Sequence, residues 1–114
     1  MRAKLDAACE KQGRDPATLP LSVMTGWIVA ETREGVVDYA SRLSQWKGEG
    51  DDGEKFLADQ RDAVIVGTVE EAVEQLRALH EAGCHRVMAQ HLLHRDTEAI
   101  ELIGREVAPL IERF

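Results

Sequence analysis

Long apolar runs are missing from this sequence. No segment approaches the roughly 18 consecutive apolar residues that a membrane-spanning helix requires, so we expect no membrane partner. Residues Met1 to Gln12 alternate charged and apolar side chains and contain no apolar block of the kind that secretion signals carry. These two absences predict a cytoplasmic protein.

Positive charge is also in short supply. The chain has 14 Lys and Arg residues against 21 Asp and Glu, which gives a formal net charge of −7, and no basic stripe interrupts this acidic composition. An acidic surface repels phosphate backbones, so nucleic acid is not expected as a partner. Cysteine is scarce as well. In a reducing compartment, Cys9 and Cys84 are expected to remain free, partly buried thiols.

What is present is the composition of one globular domain. The 114 residues are 44% hydrophobic and 31% charged. The segment Leu19–Ala30 is nearly uncharged, rich in β-forming residues and apolar on both faces. This pattern predicts a strand at about residues 21–29, in a parallel sheet with helices on both sides. Arg86–Leu93 predicts a second strand, parallel to the first.

Helical periodicity surrounds these strands. It predicts helices at Arg2–Gln12, Glu34–Trp46, Glu54–Asp62, about 69–82 and about 97–112. The segment Lys47–Gly53, with three glycines and four charges, predicts an exposed loop. The short apolar run Ala63–Val66 is not assigned to a strand.

Capping signals mark both helices of the C-terminal half. Thr68 followed by Glu71 forms a capping box, which favours capping over anion binding at Gly67-Thr68. Gly83 is expected to end that helix.

The last helix is expected to begin with Asp96 as its cap. Pro109 is expected to bend or break it, because the proline ring clashes with the carbonyl four residues back. Its predicted buried stripe consists of Ile100, Ile103, Val107, Leu110, Ile111 and Phe114.

The predicted order of elements is helix, strand, helical insertion, helix, strand, helix. Alternation of strands and helices indicates the α/β class. Two parallel strands make a poor sheet by themselves, because three or more are needed for independent stability. Bare strand edges and the apolar stripe of the last helix predict association, either as a homo-oligomer or with a complementary N-terminal chain.

Three stretches, each weak alone, occur in a specific order and spacing. They are Cys9–Leu19 leading into Ser22-Val23; Ile65–Glu71 followed by a helix ending in Glu81-Ala82-Gly83; and Arg86–His91 followed by Glu101–Val107. Together they resemble the C-terminal part of luciferase-like monooxygenases, in particular the branch of deazaflavin-dependent oxidoreductases. The resemblance extends from Cys9 to Phe114.

This resemblance implies an α/β fold that is the C-terminal fragment of a (β/α)8 TIM-type barrel. Met1–Gln12 would be the end of helix six, Leu21–Val29 strand seven and Arg86–Leu93 strand eight, with helices seven and eight completing residues 1–114. The family's oxidoreductases use flavin mononucleotide (FMN) or a deazaflavin coenzyme. Strands one to six, which supply most of that pocket, are absent. We therefore expect no tight cofactor binding and no activity by this chain alone. The alternative function is a non-catalytic remnant or an assembly module that self-associates or pairs with a separate N-terminal chain.

In a parallel barrel, the active site lies at the C-terminal ends of the strands. Those ends are expected at Thr25–Trp27 and at Gln90 and His91. Gln90 can donate and accept hydrogen bonds, and His91 can move protons near neutral pH, so both are candidate cofactor-binding residues. The alternative is that they cap the strand or bond nearby backbone. No catalytic residue is assigned.

A group of potential metal ligands also lies near the second strand. The spacing of Cys84, His85, His91 and His94 matches no structural zinc pattern, so no metal site is expected. Of the two tryptophans, Trp27 is expected in the core, and Trp46, beside the acidic loop, is expected to be exposed or lid-like.

Overall fold

The computed structural model describes residues 2–60, 63–93 and 95–114. Its elements, in chain order, are α1 (Arg2–Lys11), a 3-10 turn (Pro16–Thr18), β1 (Leu21–Ala30), α2 (Arg33–Trp46), α3 (Gly53–Gln60), β2 (Val64–Thr68), α4 (Val69–Glu81), β3 (Cys84–Gln90), α5 (Thr97–Leu102), a π-helical turn (Ile103–Val107) and α6 (Ala108–Ile111). No helix in these described ranges is long and apolar enough to cross a membrane.

The three strands form one parallel sheet in the order β2-β1-β3. The expected α/β class and the parallel pairing of β1 with β3 are confirmed. The prediction of a barrel fragment containing only the last two strands is wrong. The unassigned run near Val66 forms a third strand, β2, which pairs along the C-terminal half of β1 from Gly26 to Ala30. The sheet is open, and helices pack against part of each of its faces.

One face of the sheet packs against α4 and the last helix. Trp27 and Val29 of β1 and Ile65 of β2 meet the apolar stripe of α4 in one buried cluster. Trp27 is only 3% exposed, as expected. The opposite face packs against α2 and α3, where Ile28 contacts a second buried cluster. Alternate side chains of the central strand therefore anchor the two helical layers.

Strand β1 is buried on both faces only in its C-terminal half. Trp27, Ile28 and Val29 are buried, whereas Met24 is 63% exposed. The register pairs Met24 with Met88 of β3, which is also exposed. The expectation that both faces of the whole strand are covered is therefore wrong. The helices cross the sheet over β2 and the end of β1, so the β1–β3 half keeps one bare face.

The last helix differs from its predicted stripe. Ile100 is 52% exposed and Leu110 is 39% exposed, whereas Ala99, Leu102 and Val107 are buried. The cause is the π-helical turn Ile103–Val107, whose wider i→i+5 pattern changes which residues face the core. This π-helical turn directly precedes α6, which contains Pro109. The helix therefore changes its type locally at the predicted break and then continues as α6.

Local signals place most of the other elements. Glu71 accepts hydrogen bonds from the backbone N–H and the hydroxyl of Thr68, each at 3.1 Å, which confirms the capping box. Gly83 has a φ of +98°, a conformation that suits glycine at a helix end. Cys9 and Cys84 are both buried and free, as expected.

Candidate functional site

A cleft lies beyond the C-terminal end of β1. It has two lobes that share Asp38, Arg42, Asp96 and Glu98. The inner lobe, of about 510 Å³, extends from Val29 and Ala30 to Arg105. The outer lobe, of about 700 Å³, extends from Trp46 to the loop after β3. Both volumes lie in the range of typical ligand pockets, and open α/β sheets bind ligands at this end of their strands.

The walls of the cleft are set by two capped helices. Thr32 begins α2 by accepting a hydrogen bond from Gly35 N at 3.1 Å. Asp96 begins α5 as predicted, with its carboxylate 3.4 Å from Ala99 N. Because Asp38 and Arg42 are one turn apart on α2, both face the start of α5 across the cleft.

A partly buried hydrogen-bonded chain lies behind this wall. The hydroxyl of Tyr39 is 2.5 Å from Nδ1 of His91, and Nε2 of His91 is 2.9 Å from the backbone carbonyl oxygen of Asp96. A carbonyl oxygen can only accept, so His91 Nε2 carries the proton, and in the neutral ring Nδ1 accepts from the tyrosine. His91 thereby ties α2 to the loop that leads into α5.

The environment keeps Tyr39 in its neutral form. The pKa of Tyr39 is raised to about 12, chiefly by burial and then by the negative charge of Asp96, while the nearby Arg42 guanidinium opposes the rise. The phenol therefore keeps its proton throughout the physiological pH range. The Tyr39 and His91 rings are also in contact, with centroids 5.6 Å apart.

The inner lobe is acidic, and its two arginines are already ion-paired. Arg42 bridges Asp38 and Asp96 at 3.0 and 2.9 Å, and Arg105 contacts Glu31 at 2.7 Å. Glu98 and Glu101 add two further carboxylates to the lining. Net negative charge in this lobe disfavours a phosphate or another anion.

The outer lobe shares four charged residues with the inner lobe but adds apolar side chains. Trp46, which is 59% exposed, Leu92 and Leu93 provide apolar surface, and Arg95 lies at the rim. The two leucines are half-buried and pack against the α2–α3 core, which fixes the loop after β3. An apolar surface that includes an exposed indole suits a planar aromatic ligand.

The two predicted cofactor-binding residues lie in different surroundings. Gln90 is the last residue of β3, pairs in register with Gly26 and is exposed on the bare side of the sheet. His91 lies directly behind the cleft, held between Tyr39 and Asp96. Neither lines the two lobes. The structure therefore does not bring these two side chains together at the cleft.

The placing of the site-facing end of the first strand at Thr25–Trp27 is wrong. Strand β1 continues to Ala30, so Thr25–Trp27 lies within the strand and Trp27 is in the core. The residues that line the cleft and that the sequence did not single out include Tyr39, Arg42, Leu92, Leu93 and Arg105. One signal was present: Asp38 and Arg42 have the i, i+4 spacing of a helical ion pair. Trp46 is exposed, as predicted.

Other candidate groups have structural roles or lie outside the described residues. The residues 2–60, 63–93 and 95–114 contain no group of three or more His, Cys, Asp or Glu side chains placed to hold a metal ion. His94 lies outside these ranges. Thr68 at the start of α4 is engaged by Glu71, which supports capping over anion binding there.

Comparison with known protein families finds no family that matches this chain, and comparison with curated proteins finds no similar protein.

Proposed function

We propose that this chain provides the ring-binding surface of an oxidoreductase that uses reduced FMN or a deazaflavin coenzyme. The observation that carries the proposal is the outer lobe of the cleft, where Trp46, Leu92 and Leu93 form an apolar surface beyond the carboxyl ends of the strands. The resemblance of the Arg86–His91 and Glu101–Val107 stretches to luciferase-like proteins supports the cofactor class.

The described residues suit the ring of such a cofactor better than its phosphate. An isoalloxazine-type ring can stack on Trp46 and contact the two leucines. A phosphate usually binds at a helix N-terminus. Here, Thr32, Glu71 and Asp96 already engage N–H groups at the starts of α2, α4 and α5. We therefore expect weak binding that does not depend on the phosphate.

In the proposed site, the cofactor supplies hydride transfer or oxygen activation, and the chain supplies orientation. Leu92 and Leu93 exclude water from one side of the ring position. His91 and Tyr39 act as positioning residues, because their hydrogen bonds to each other and to Asp96 O hold the loop that carries the leucines.

The proposal is tested by titrating the purified chain into riboflavin, FMN and a deazaflavin while following the fluorescence of the ligand. We expect dissociation constants above about 1 µM, and similar values for riboflavin and FMN. Trp46→Ala should weaken binding about tenfold, equal to about 1.4 kcal/mol. The matched control is Met24→Ala, which removes an exposed apolar side chain outside the cleft. Equal loss in both variants, or no saturable binding, would contradict the proposal.

A second proposed function is assembly, favoured by the exposed side of β3. In the described ranges, this strand pairs with β1 alone, so its outer edge has no strand partner. Met24 and Met88 are exposed beside it, and Cys84–Gln90 contains no acidic residue in a chain of net charge −7. Two copies would therefore meet with little charge repulsion along this edge.

Sedimentation at micromolar concentration tests the assembly function. We expect a dimer, and we expect Met24→Lys together with Met88→Lys to convert it to a monomer. The control is Ile100→Lys, which places the same charge on an exposed apolar position of α5. A monodisperse wild-type monomer with a cooperative thermal transition would rule out assembly through β3.

A further inference from the structure

The outer edge of β2 is covered by side chains of the helix that follows it. Gln75 of α4 accepts a hydrogen bond from Val66 N at 3.1 Å and donates one to Val66 O at 2.7 Å. Two residues further along the strand, Glu71 accepts from Thr68 N at 3.1 Å. Both β2 residues thus find hydrogen-bond partners within the same chain.

This arrangement imitates a neighbouring strand. In a parallel sheet, the N–H and C=O groups of alternate residues point to the same edge, so Val66 and Thr68 both face away from β1. A carboxamide offers one donor and one acceptor in the geometry of a peptide group. Gln75 therefore occupies the position that the backbone of a fourth strand would take.

Gln75 is held for this role by its own helix. Its side-chain nitrogen also donates to Glu71 O at 3.0 Å, so the amide is fixed by three hydrogen bonds to two backbone groups of β2 and one of α4. Alongside lies a groove of about 480 Å³ whose lining includes the apolar residues Leu57, Ala58 and Val66 and the polar residues Arg33, Glu54, Glu71 and Gln75. The groove provides space and apolar surface for a strand once the amide is removed.

The edge that Gln75 covers would otherwise be suited to self-pairing. The residues of Val64–Thr68 are uncharged, and three of the five are β-branched apolar residues. Uncharged β-branched strands with open edges pair with copies of themselves. Among the hydrogen bonds of the described residues, the backbone of β3 receives one from a side chain of its own strand, the Cys84 thiol at Arg86 O, and none from another element.

We propose that Gln75 blocks the β2 edge against a second copy of this chain, so that copies associate through β3 alone and stop at a dimer. The β3 half of this inference rests on the proposed assembly function. A molecule with two open edges would add copies without limit, whereas pairing of one edge with itself closes after two copies.

The test compares the mass distribution of wild type, Gln75→Ala and Gln75→Met by sedimentation at micromolar concentration. Methionine keeps the length of the side chain but can neither donate to Val66 O nor accept strongly from Val66 N. Glu74→Ala is the control, because it shortens the adjacent, exposed side chain of the same helix. Near-ultraviolet circular dichroism of the buried Trp27 verifies that each variant is folded.

We expect wild type and Glu74→Ala to contain no species larger than a dimer, and both Gln75 variants to form larger, concentration-dependent species. A monomeric wild type with associating Gln75 variants would support the block on β2 and refute assembly through β3. Folded Gln75 variants with the wild-type distribution would overturn the inference. Hydrogen exchange of the wild type provides a test without substitutions: the Val66 amide should exchange at least tenfold more slowly than a strand amide that faces solvent, and equal rates would also overturn it.

Discussion

Substitution of Tyr39 by phenylalanine removes one oxygen atom from the wall behind the cleft. The ring remains, so the packing of α2 against Ile28 is preserved. What is lost is the hydrogen bond to His91 Nδ1, which is 2.5 Å long and formed by a side chain only 2% exposed. The partner nitrogen is then left without its donor in a partly buried setting.

The expected cost follows from that unpaired acceptor. Leaving a buried polar group unsatisfied costs about 1–3 kcal/mol, and deletion of a hydrogen bond that water can replace costs about 1 kcal/mol. Because His91 is half-buried, we expect Tyr39→Phe to lower the free energy of unfolding at pH 7 by about 1–2 kcal/mol.

The effect depends on pH in a defined direction. Tyr39 has a pKa of about 12 in the folded chain against an ordinary value of 10.0. A raised pKa contributes stability below pH 10 that is lost as the pH rises from 10 to 12, because the unfolded phenol ionises first. At pH 11, these two values correspond to a loss of about 1 kcal/mol in wild type. The phenylalanine variant has no such loss.

Urea unfolding followed by tryptophan fluorescence at pH 7 and pH 11 measures both quantities. The stability difference between wild type and Tyr39→Phe should shrink by about 1 kcal/mol at the higher pH. Tyr39 is the only tyrosine in the chain, so phenolate absorbance reports its titration directly. A native titration midpoint near 10, or an unchanged stability difference between the two pH values, would refute the hydrogen-bonded, buried phenol.

Four further substitutions, in two pairs, test the packing and the cap. Gly53→Ala should lower the free energy of unfolding by about 1–3 kcal/mol, because its Cβ would overlap Val37 O. Gly104→Ala, which meets nothing within 4 Å, should raise it by about 0.5–1 kcal/mol. Asp96→Ala should lower the free energy of unfolding by about 1–2 kcal/mol, because the α5 cap is lost. Asp96→Asn keeps a capping oxygen and loses only the ion pair with Arg42, so it should lower the free energy of unfolding by less than about 1 kcal/mol. Thermal or urea unfolding measures the change in the free energy of unfolding for all four variants. Equal changes for the two glycine variants would contradict the close contact at Gly53, and equal changes for the two Asp96 variants would contradict the cap.

The parts of the fold that the sequence predicts are those that depend on neighbouring residues. The capping box at Thr68 and the cap at Asp96 lie within three residues of the groups they bond. The third strand could not be assigned in this way. The five residues Val64–Thr68 are too few for their pattern to distinguish a strand from a loop that precedes a helix. Only their pairing with β1 shows that they form a strand.

The last helix shows the same limit. A fixed spacing of 3.6 residues predicts burial of Ile100 and Leu110, but the π-helical turn between them changes the spacing. The turn directly precedes the segment containing Pro109, which lacks the backbone N–H that a regular α-helix requires at that position.

The sequence predicts where the site lies but not which residues form it. The rule for parallel strands directs attention to the residues after β3, and His91 does lie behind the cleft. Its partner Tyr39 is 52 residues away in the chain, on a helix whose orientation only the folded sheet fixes. Leu92 and Leu93 resembled the end of the strand, and become cleft residues because β3 ends at Gln90.

The central claim is that the outer lobe of the cleft binds the planar ring of a flavin or deazaflavin. Its most direct test is a two-dimensional amide NMR spectrum of the labelled chain, recorded during titration with FMN. We predict the largest shifts at the Trp46 indole N–H and the backbone amides of Leu92 and Leu93, with the Trp27 indole N–H unchanged. Shifts centred on the bare face at Met24 and Met88, or no shifts at millimolar ligand, would contradict the claim.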